Sequence, residues 1–547
     1  MGNINKDKSI NMAKYSAFNP YRIRQRELGY KSSIGEGDAL AKSLYCGMKA
    51  VGSWDAERDK IPSTGGIFNL EFSPEGTLLV AACEKKCIQL FDPLTHKRIH
   101  SVHGAHSDCV NCVKFLDGRM FATCSDDTTI ALWDVRNLKK KIRTLLGHSK
   151  WVKNIEFSVK DKLLVTSGLD GSIYTWDINS YTEYNLIYQR VFHTSSLMRC
   201  RLSPDARQMV MCTTGGLIVL IHDLNLHTLG QDLNGFKPNL YRLMQMSRQT
   251  IPIAAMYDHL FDSNRRENRI EFVSDFPIGN DAEVVSALQI HPQGWCALSR
   301  NISHDDKSEW TCIHDIQPSY NPNLKNTRDT SPLSPSGGGS YPNNRGAGAR
   351  RRTRTIRLNR SHPVHPLGQV RRNFNMQRIT GVNSGIQPPA APAPRPVLTP
   401  MQGEAEPPRS FLPSPSGQTP PRDSPGNSDD DTKSNIRRNK KRLLYYAEET
   451  NEGKGFIKEL CFSADGRIVC SPFGRGIRLL ALNYDCGELC NYVQHLTSPR
   501  PMVEIGQSLG VHQDLVVSSK FSPRYHMLVT GCLEGKIVWL QPFSGES

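Results

Sequence analysis

Between Gly104 and Asn179 the alternation of apolar and polar positions repeats itself. GAHSDCVNCVKFLDGRMFATCSDDTTIALWDVR is followed by GHSKWVKNIEFSVKDKLLVTSGLDGSIYTWDIN, with Trp133 and Trp176 about 43 residues apart. Each copy runs from a small residue and a histidine into a strand whose apolar side chains fall at every second position. A Ser/Gly–Asp turn follows, then a further strand closed by Trp-Asp. Period-two alternation punctuated by turn residues predicts half-buried antiparallel strands. Each copy therefore reads as one small four-stranded sheet.

A repeat of roughly 40–45 residues closing on Trp-Asp is the signature of WD40 propeller blades. The fold expected is all-β, a seven-bladed WD40 β-propeller with a short N-terminal helical segment and a long disordered insertion. The polar residues have a structural use within each blade. His106 or His148 is placed to donate to Asp127 or Asp170, with Thr123 or Thr166 and Trp133 or Trp176 alongside. Such a chain satisfies polar groups that the blade must bury.

The remaining blades are spelled more loosely. Residues 1–18 are polar and expected to be a disordered tail. Residues 19–51 predict two short helices: Pro20 suits a first turn, Gly29 can close the first helix, and Leu40, Leu44 and Met48 share one face of the second. That segment is either a pad on the propeller or a clasp for a partner. Blades one to five are assigned to 52–317, with Phe91-Asp92, His222-Asp223 and His314-Asp315 standing where blades two and three have Trp-Asp. Residues 225–281 look like a loop between blades. Blades six and seven are assigned to 443–547, and an early strand must complete the last blade to close the ring.

Charge changes this picture in one place. Residues 318–442 hold 21 Lys/Arg against 7 Asp/Glu, whereas the rest of the chain holds 47 against 46, so nearly all of the net +15 sits in one segment. The same segment contains 20 of the 34 prolines and few large apolar residues, which predicts disorder. Excising 318–442 is expected to leave the propeller folded. Within it, Arg437-Arg-Asn-Lys-Lys-Arg442 has the composition of a nuclear import signal, and RRTRTIRLNR (351–360) could touch RNA or acidic protein; the alternative is a solvated tether. Ser331, Ser334, Ser414, Thr419 and Ser424 each precede proline and are candidate phosphorylation sites. The fifteen cysteines are scattered along strand-like runs, and Cys109-x-x-Cys112 lacks the second pair that a zinc site needs, so small core residues in a reducing compartment are expected. No apolar run is long enough to span a membrane, and Lys6 stands where a myristoylation signal wants Ser or Thr. No membrane association, metal or cofactor is expected.

Candidate chemistry is sparse. There is no P-loop, GxSxG, HExxH or dinucleotide turn, and the repeat itself accounts for the histidines and aspartates. Arg136 is the residue the repeat leaves unexplained. The third strand of its blade should end at Asp134, leaving the Arg136 guanidinium on the propeller face. It is there either as an ordinary solvated charge or as a bidentate donor to a partner's carboxylate or carbonyls. Asn179 stands at the same position in the next blade and carries no charge.

The ending Ile130-Ala-Leu-Trp-Asp-Val-Arg136 resembles the WDxR box of WD-repeat substrate receptors of cullin-4 RING ubiquitin ligases. FNLEFSPEG (68–76), ATCSDDTTIALWD (122–134), WVKNIE (151–156), LLVTSGLDG (163–171), GFIKELCFSADGR (455–467) and GIRLL (476–480) are similar to that family as well, as is SLY at 43–45. The resemblance implies a non-catalytic receptor that recruits proteins for ubiquitination. It would bind the large adaptor subunit of the damaged-DNA-binding complex and, through it, cullin-4. Residues 19–51, including Leu40, Leu44 and Tyr45, would enter the adaptor, and Trp133, Asp134 and Arg136 would abut it, with Asn179 as a weaker second box. An unidentified protein substrate would dock on the opposite face or the insertion, in the nucleus, the cytoplasm or both. The alternative is a nuclear WD-repeat scaffold binding RNA or chromatin through the basic insertion. Steep loss of binding with salt would mark that case.

Overall fold

The computed structural model describes residues 24–25, 27–30, 36–179, 188–195, 197–279, 284–301, 309–317, 436–449, 458–493 and 496–543. The expected tail at 1–18 and residues 318–435 of the expected insertion lie outside them.

Seven antiparallel sheets form the blades of a β-propeller. Blades two and three follow the repeat as expected, from Val110–Phe115 to Arg143–Leu145 and from Val152–Ser158 to Tyr188–His193. The inner strands bury Val, Leu, Ile or Phe between neighbouring blades, and a one-residue bulge recurs near their starts in six blades. That recurrence holds equivalent residues at one level around the axis.

The ring closes through a strand from outside the repeat. Met48–Trp54 pairs antiparallel with Ile537–Pro542, from Met48 opposite Pro542 to Trp54 opposite Ile537, and becomes the outer strand of blade seven. An early closing strand was expected, but not at Met48, which had been assigned to a helical face. The helix, α1, spans Glu36–Cys46 and stops before it.

Two further expectations are corrected. Residues 225–281 are not a plain loop. Helices Leu229–Asp232, Pro238–Ser247 and Pro252–Ala255, the last two opened by prolines at their first turns, pack Leu229, Tyr241, Met244 and Ala254 against blade four. The chain then returns as Arg269–Val273, the outer strand of that blade. Leu443–Glu449, expected to open blade six, instead pairs with Glu309–His314 as the fourth strand of blade five. The interruption at 318–435 therefore falls inside a blade.

The last residues of the expected insertion also belong to the fold. Arg442 is buried and grips Glu271 with two hydrogen bonds, Nε–Oε1 at 2.8 Å and Nη2–Oε2 at 2.7 Å, while Nη1 donates to the Gln317 carbonyl. Burial alone would raise the Glu271 carboxyl's pKa. Hydrogen bonds from His222 and Arg442 outweigh it and hold the group ionised, well below the usual carboxylate range.

Among the described residues no helix is long and apolar enough to cross a membrane. Excising residues 318–435 is expected to leave the melting temperature near that of the full chain. Excising 318–442 removes Arg442 and leaves the buried Glu271 with only its longer contacts to His222 and Arg269, at a cost of about 3 kcal/mol. Thermal melts of the two deletions check this, and equal melting temperatures would contradict it.

Candidate protein-docking face

The polar chains of blades two and three are complete. His106 Nδ1 lies 3.0 Å from Asp127, its Nε2 lies 2.8 Å from the Thr123 hydroxyl, and Trp133 Nε1 donates to the same hydroxyl at 2.9 Å. His148, Asp170, Thr166 and Trp176 repeat this at 3.0, 2.9 and 2.8 Å. A carboxylate only accepts, so Nδ1 carries the proton. Threonine receives the tryptophan N–H and passes its own hydrogen to Nε2. Every polar atom in the chain is used, which ties the turn between the second and third strands to the segment that enters the first.

At the other end of the third strand stands the WDxR corner. The strand Ile130–Asp134 ends in a tight turn in which Asp134 Oδ1 accepts the Arg136 N–H at 2.9 Å and the Asp134 carbonyl accepts the Asn137 N–H at 2.9 Å. Arg119, from the turn between the first two strands, donates Nε and Nη2 to Asp134 Oδ2 at 2.9 and 2.6 Å. That pair and the Arg136 N–H hold the Asp134 carboxyl down to about 2. Asp134 is thereby a fixed post. The Arg136 guanidinium remains 66% exposed, with Nε 3.6 Å from Asp134 Oδ1. It borders a cleft of about 260 Å³ whose apolar lining includes Leu78, Leu90, Ile99, Val135 and Leu138. An exposed arginine on an anchored turn beside an apolar cleft is the kind of residue found at binding hot spots.

The corner of blade three has the same backbone, with Asp177 Oδ1 accepting the Asn179 N–H at 3.0 Å, but presents an amide in place of a guanidinium. Trp133, expected to meet a partner, is buried and spent on Thr123.

Helix α1 rests on the propeller at blades six and seven. Ala41 and Tyr45 point inward into one apolar cluster with Ile477 and Val538, and the Tyr45 hydroxyl donates to Asp465 at 2.8 Å. Burial, with Asp465 beside it, holds that phenol protonated. Arg467 pairs with Asp38, and Lys42 reaches Asp485 at 3.6 Å. Tyr45, expected to enter a partner, is thus an internal anchor. Leu40 and Leu44 lie on the adjoining face and stay half-buried. Leu28 and Tyr30 are each 67% exposed. Arg119 and Asp465 both lie in turns between first and second strands, and Arg136 lies in a turn between third and fourth. In an antiparallel four-stranded blade those turns share one edge. The anchored helix and the exposed arginine therefore belong to one face of the propeller.

The axis was not anticipated. One residue before the aromatic or aliphatic end of successive inner strands stand Glu71, Lys114, Glu156 and Arg201, then Gln289 and Lys520. Lys520 pairs with Glu71 at 2.6 Å, Lys114 with Glu156 at 3.3 Å, and Arg201 with Glu156 at 2.8 Å. Glu459 accepts from Arg201 and Gln289 at 2.9 and 3.0 Å and also pairs with Arg199. The recurrent V-x-x-x-(E/K)-F pattern was the available signal. At the mouth of this axis on the face away from Arg136, Phe68, Asn111, Lys153, Arg199 and Leu533 border a funnel of about 320 Å³.

Fold and corner geometry together define a WD-repeat propeller. The family model described as "WD domain, G-beta repeat" matches residues 97–134 and 139–177. Similarity extends much further. The chain is 33% identical to "DDB1- and CUL4-associated factor 10" of Danio rerio over 517 residues, 91% of this chain and 78% of that protein. It is 33% identical to the Xenopus laevis protein of the same name over 544 residues, 95% and 94% of the two chains. The Homo sapiens protein of that name is 33% identical over 508 residues, 87% and 70%. The chain belongs to the DDB1- and CUL4-associated factor 10 family.

The Asp170 carboxyl sits at about 2 because hydrogen bonds from His148 and the Ser149 and Ser172 N–H groups overcome the opposing effect of burial. An unfolded aspartate titrates near 3.9. Its contribution to stability is therefore complete above about pH 4 and lost as pH falls towards 2. Asp170→Asn should cost about 2 kcal/mol at pH 7, and its deficit against wild type should shrink across that window. Chemical denaturation at pH 7, 4 and 3 reads this; a deficit constant with pH would contradict it.

Proposed function

We propose that this protein is a non-catalytic substrate receptor of a cullin-4 RING E3 ubiquitin ligase. It would bind the DDB1 adaptor through α1 and the Arg136 corner and hold a target protein elsewhere on its surface. The observation that carries the reading is the juxtaposition on one propeller face of an anchored helix and an exposed, oriented arginine. Membership of a family whose members are named for association with DDB1 and CUL4 supports it. The receptor's contribution is effective concentration: a target tethered near the ligase meets the ubiquitin-charged enzyme far more often than one in free solution. Rigidity helps, because an anchored helix loses little conformational freedom on binding. Asn179 leaves one charged corner where a pair would share the load. Arg136 should therefore matter more here than in a receptor with two.

Co-purification of DDB1 from cells tests this. Arg136→Ala should lower recovery about tenfold, as expected for loss of a charged contact at an interface. Deleting residues 19–46 should abolish recovery while sparing the closing strand. Recovery equal to wild type in both variants would sink the reading.

A further inference from the structure

Helix Pro238–Ser247 and the segment 436–442 leading back into blade five face each other across a cleft of about 470 Å³. Its walls are joined directly. Gln245 Nε2 donates to the Arg437 carbonyl at 2.7 Å, and Asn439 Nδ2 donates to the Ser274 hydroxyl at 2.9 Å. Four arginines line the cleft: Arg242, Arg248, Arg437 and Arg438. Arg437 is held by Asp262 at 3.2 Å, with half its side chain still exposed. Arg242, Arg248 and Arg438 have no ion-pair partner among the described residues. A cluster of like charges on the surface costs free energy, so it is a strained arrangement until an anion arrives.

The same region is also unusually apolar for a surface. Met246, which lines the cleft, is 70% exposed, and Leu243 three residues earlier is 54% exposed. The next helix adds Ile253 at 61%, and Met256 just past its end is 72% exposed. Exposed large apolar side chains grouped in one short stretch mark an interaction surface, and methionine is the side chain that adapts to varied partners. Among the described residues no aromatic side chain lines the cleft. A single-stranded nucleic-acid site uses aromatic platforms to stack bases. Arginine forks with exposed methionine and leucine instead match carboxylates interspersed with aliphatic side chains.

We propose that this cleft docks an acidic segment of a partner protein in which apolar residues alternate with carboxylates. The proposal rests on the receptor reading and gives the target-recognition surface a place and a chemistry. The arginines supply charge complementarity and a fast encounter, and Met246 and Leu243 supply the apolar contact that retains the segment.

The test is fluorescence anisotropy with the full chain and a short labelled peptide alternating glutamate with leucine. Wild type should bind it. Arg242→Glu/Arg438→Glu should weaken binding about tenfold or more, Met246→Ser about threefold, and replacement of every glutamate in the peptide by glutamine should abolish it. Unchanged affinity in the charge-reversed variant, or equal binding of the glutamine peptide, would overturn the proposal. So would tighter binding of a single-stranded RNA through the same arginines, or binding seen only once residues 318–435 are removed. Should the double variant fail to fold, Met246→Ser and the glutamine peptide decide. DDB1 recovery is measured on the same variants. The charge-reversed variant should keep the adaptor and Arg136→Ala should keep the peptide, so failure of either idea is visible by itself.

Discussion

Closure of the ring is the constraint on which the rest depends. Six blades can be written by a repeat, but the seventh lacks an outer strand until Met48–Trp54 pairs with Ile537–Pro542. Pairing of the two ends of the chain makes the propeller cooperative, because no blade can leave without opening an edge. It also sets where α1 lies. Gly47 joins helix to strand, and its carbonyl accepts the Phe543 N–H at 2.9 Å, so the helix leaves the ring at a fixed point. Helix α1 is thus positioned by the bond that closes the fold.

The axis shows a second consequence of closure. Seven inner strands bring one side chain each to the same level, and an apolar set there would leave a void that seven blades cannot fill. Alternating charges answer this: Glu71, Lys114, Glu156 and Arg201 each touch a neighbour of opposite sign. Desolvating such ions is expensive, and an ion network of this kind adds little net stability over apolar packing. It specifies neighbours instead.

Blades two and three were legible residue by residue because each has a complete Trp–Thr–His–Asp chain, and a local pattern announces a local network. Blades four and five were not, because their polar partners are distant in sequence. His222 at the tryptophan position is satisfied by Glu271, and Glu271 by Arg442, 171 residues further on. No window of ordinary length contains that triad. Arg442 was read with its basic neighbours as part of a solvated run, and only burial separates it from Lys441. Tyr45 and Trp133 show the converse. A motif names the residues that build a corner, but burial decides which of them are exposed. Here the exposed ones are Arg136 and Asn179, with Leu40 and Leu44 half-covered beside the anchor.

The position of the interruption links fold to function. Had residues 318–435 been inserted between blades, their two ends would join neighbouring sheets. They interrupt blade five between its third and fourth strands, and the ends are tied to each other: the Asp315 N–H donates to the Arg442 carbonyl at 2.8 Å, and Arg442 donates to the Gln317 carbonyl. Closing a long loop costs free energy that grows only with the logarithm of its length. Once the ends are clamped, the blade is indifferent to how much chain lies between them. The clamp must therefore be strong, and Arg442, Glu271, Asp275 and Gln317 make it so through buried, charge-assisted hydrogen bonds. The segment that leads into this clamp is tied to helix Pro238–Ser247 separately, where Gln245 donates to the Arg437 carbonyl at 2.7 Å. The basic cleft thus adjoins the joint at which blade five is sewn shut.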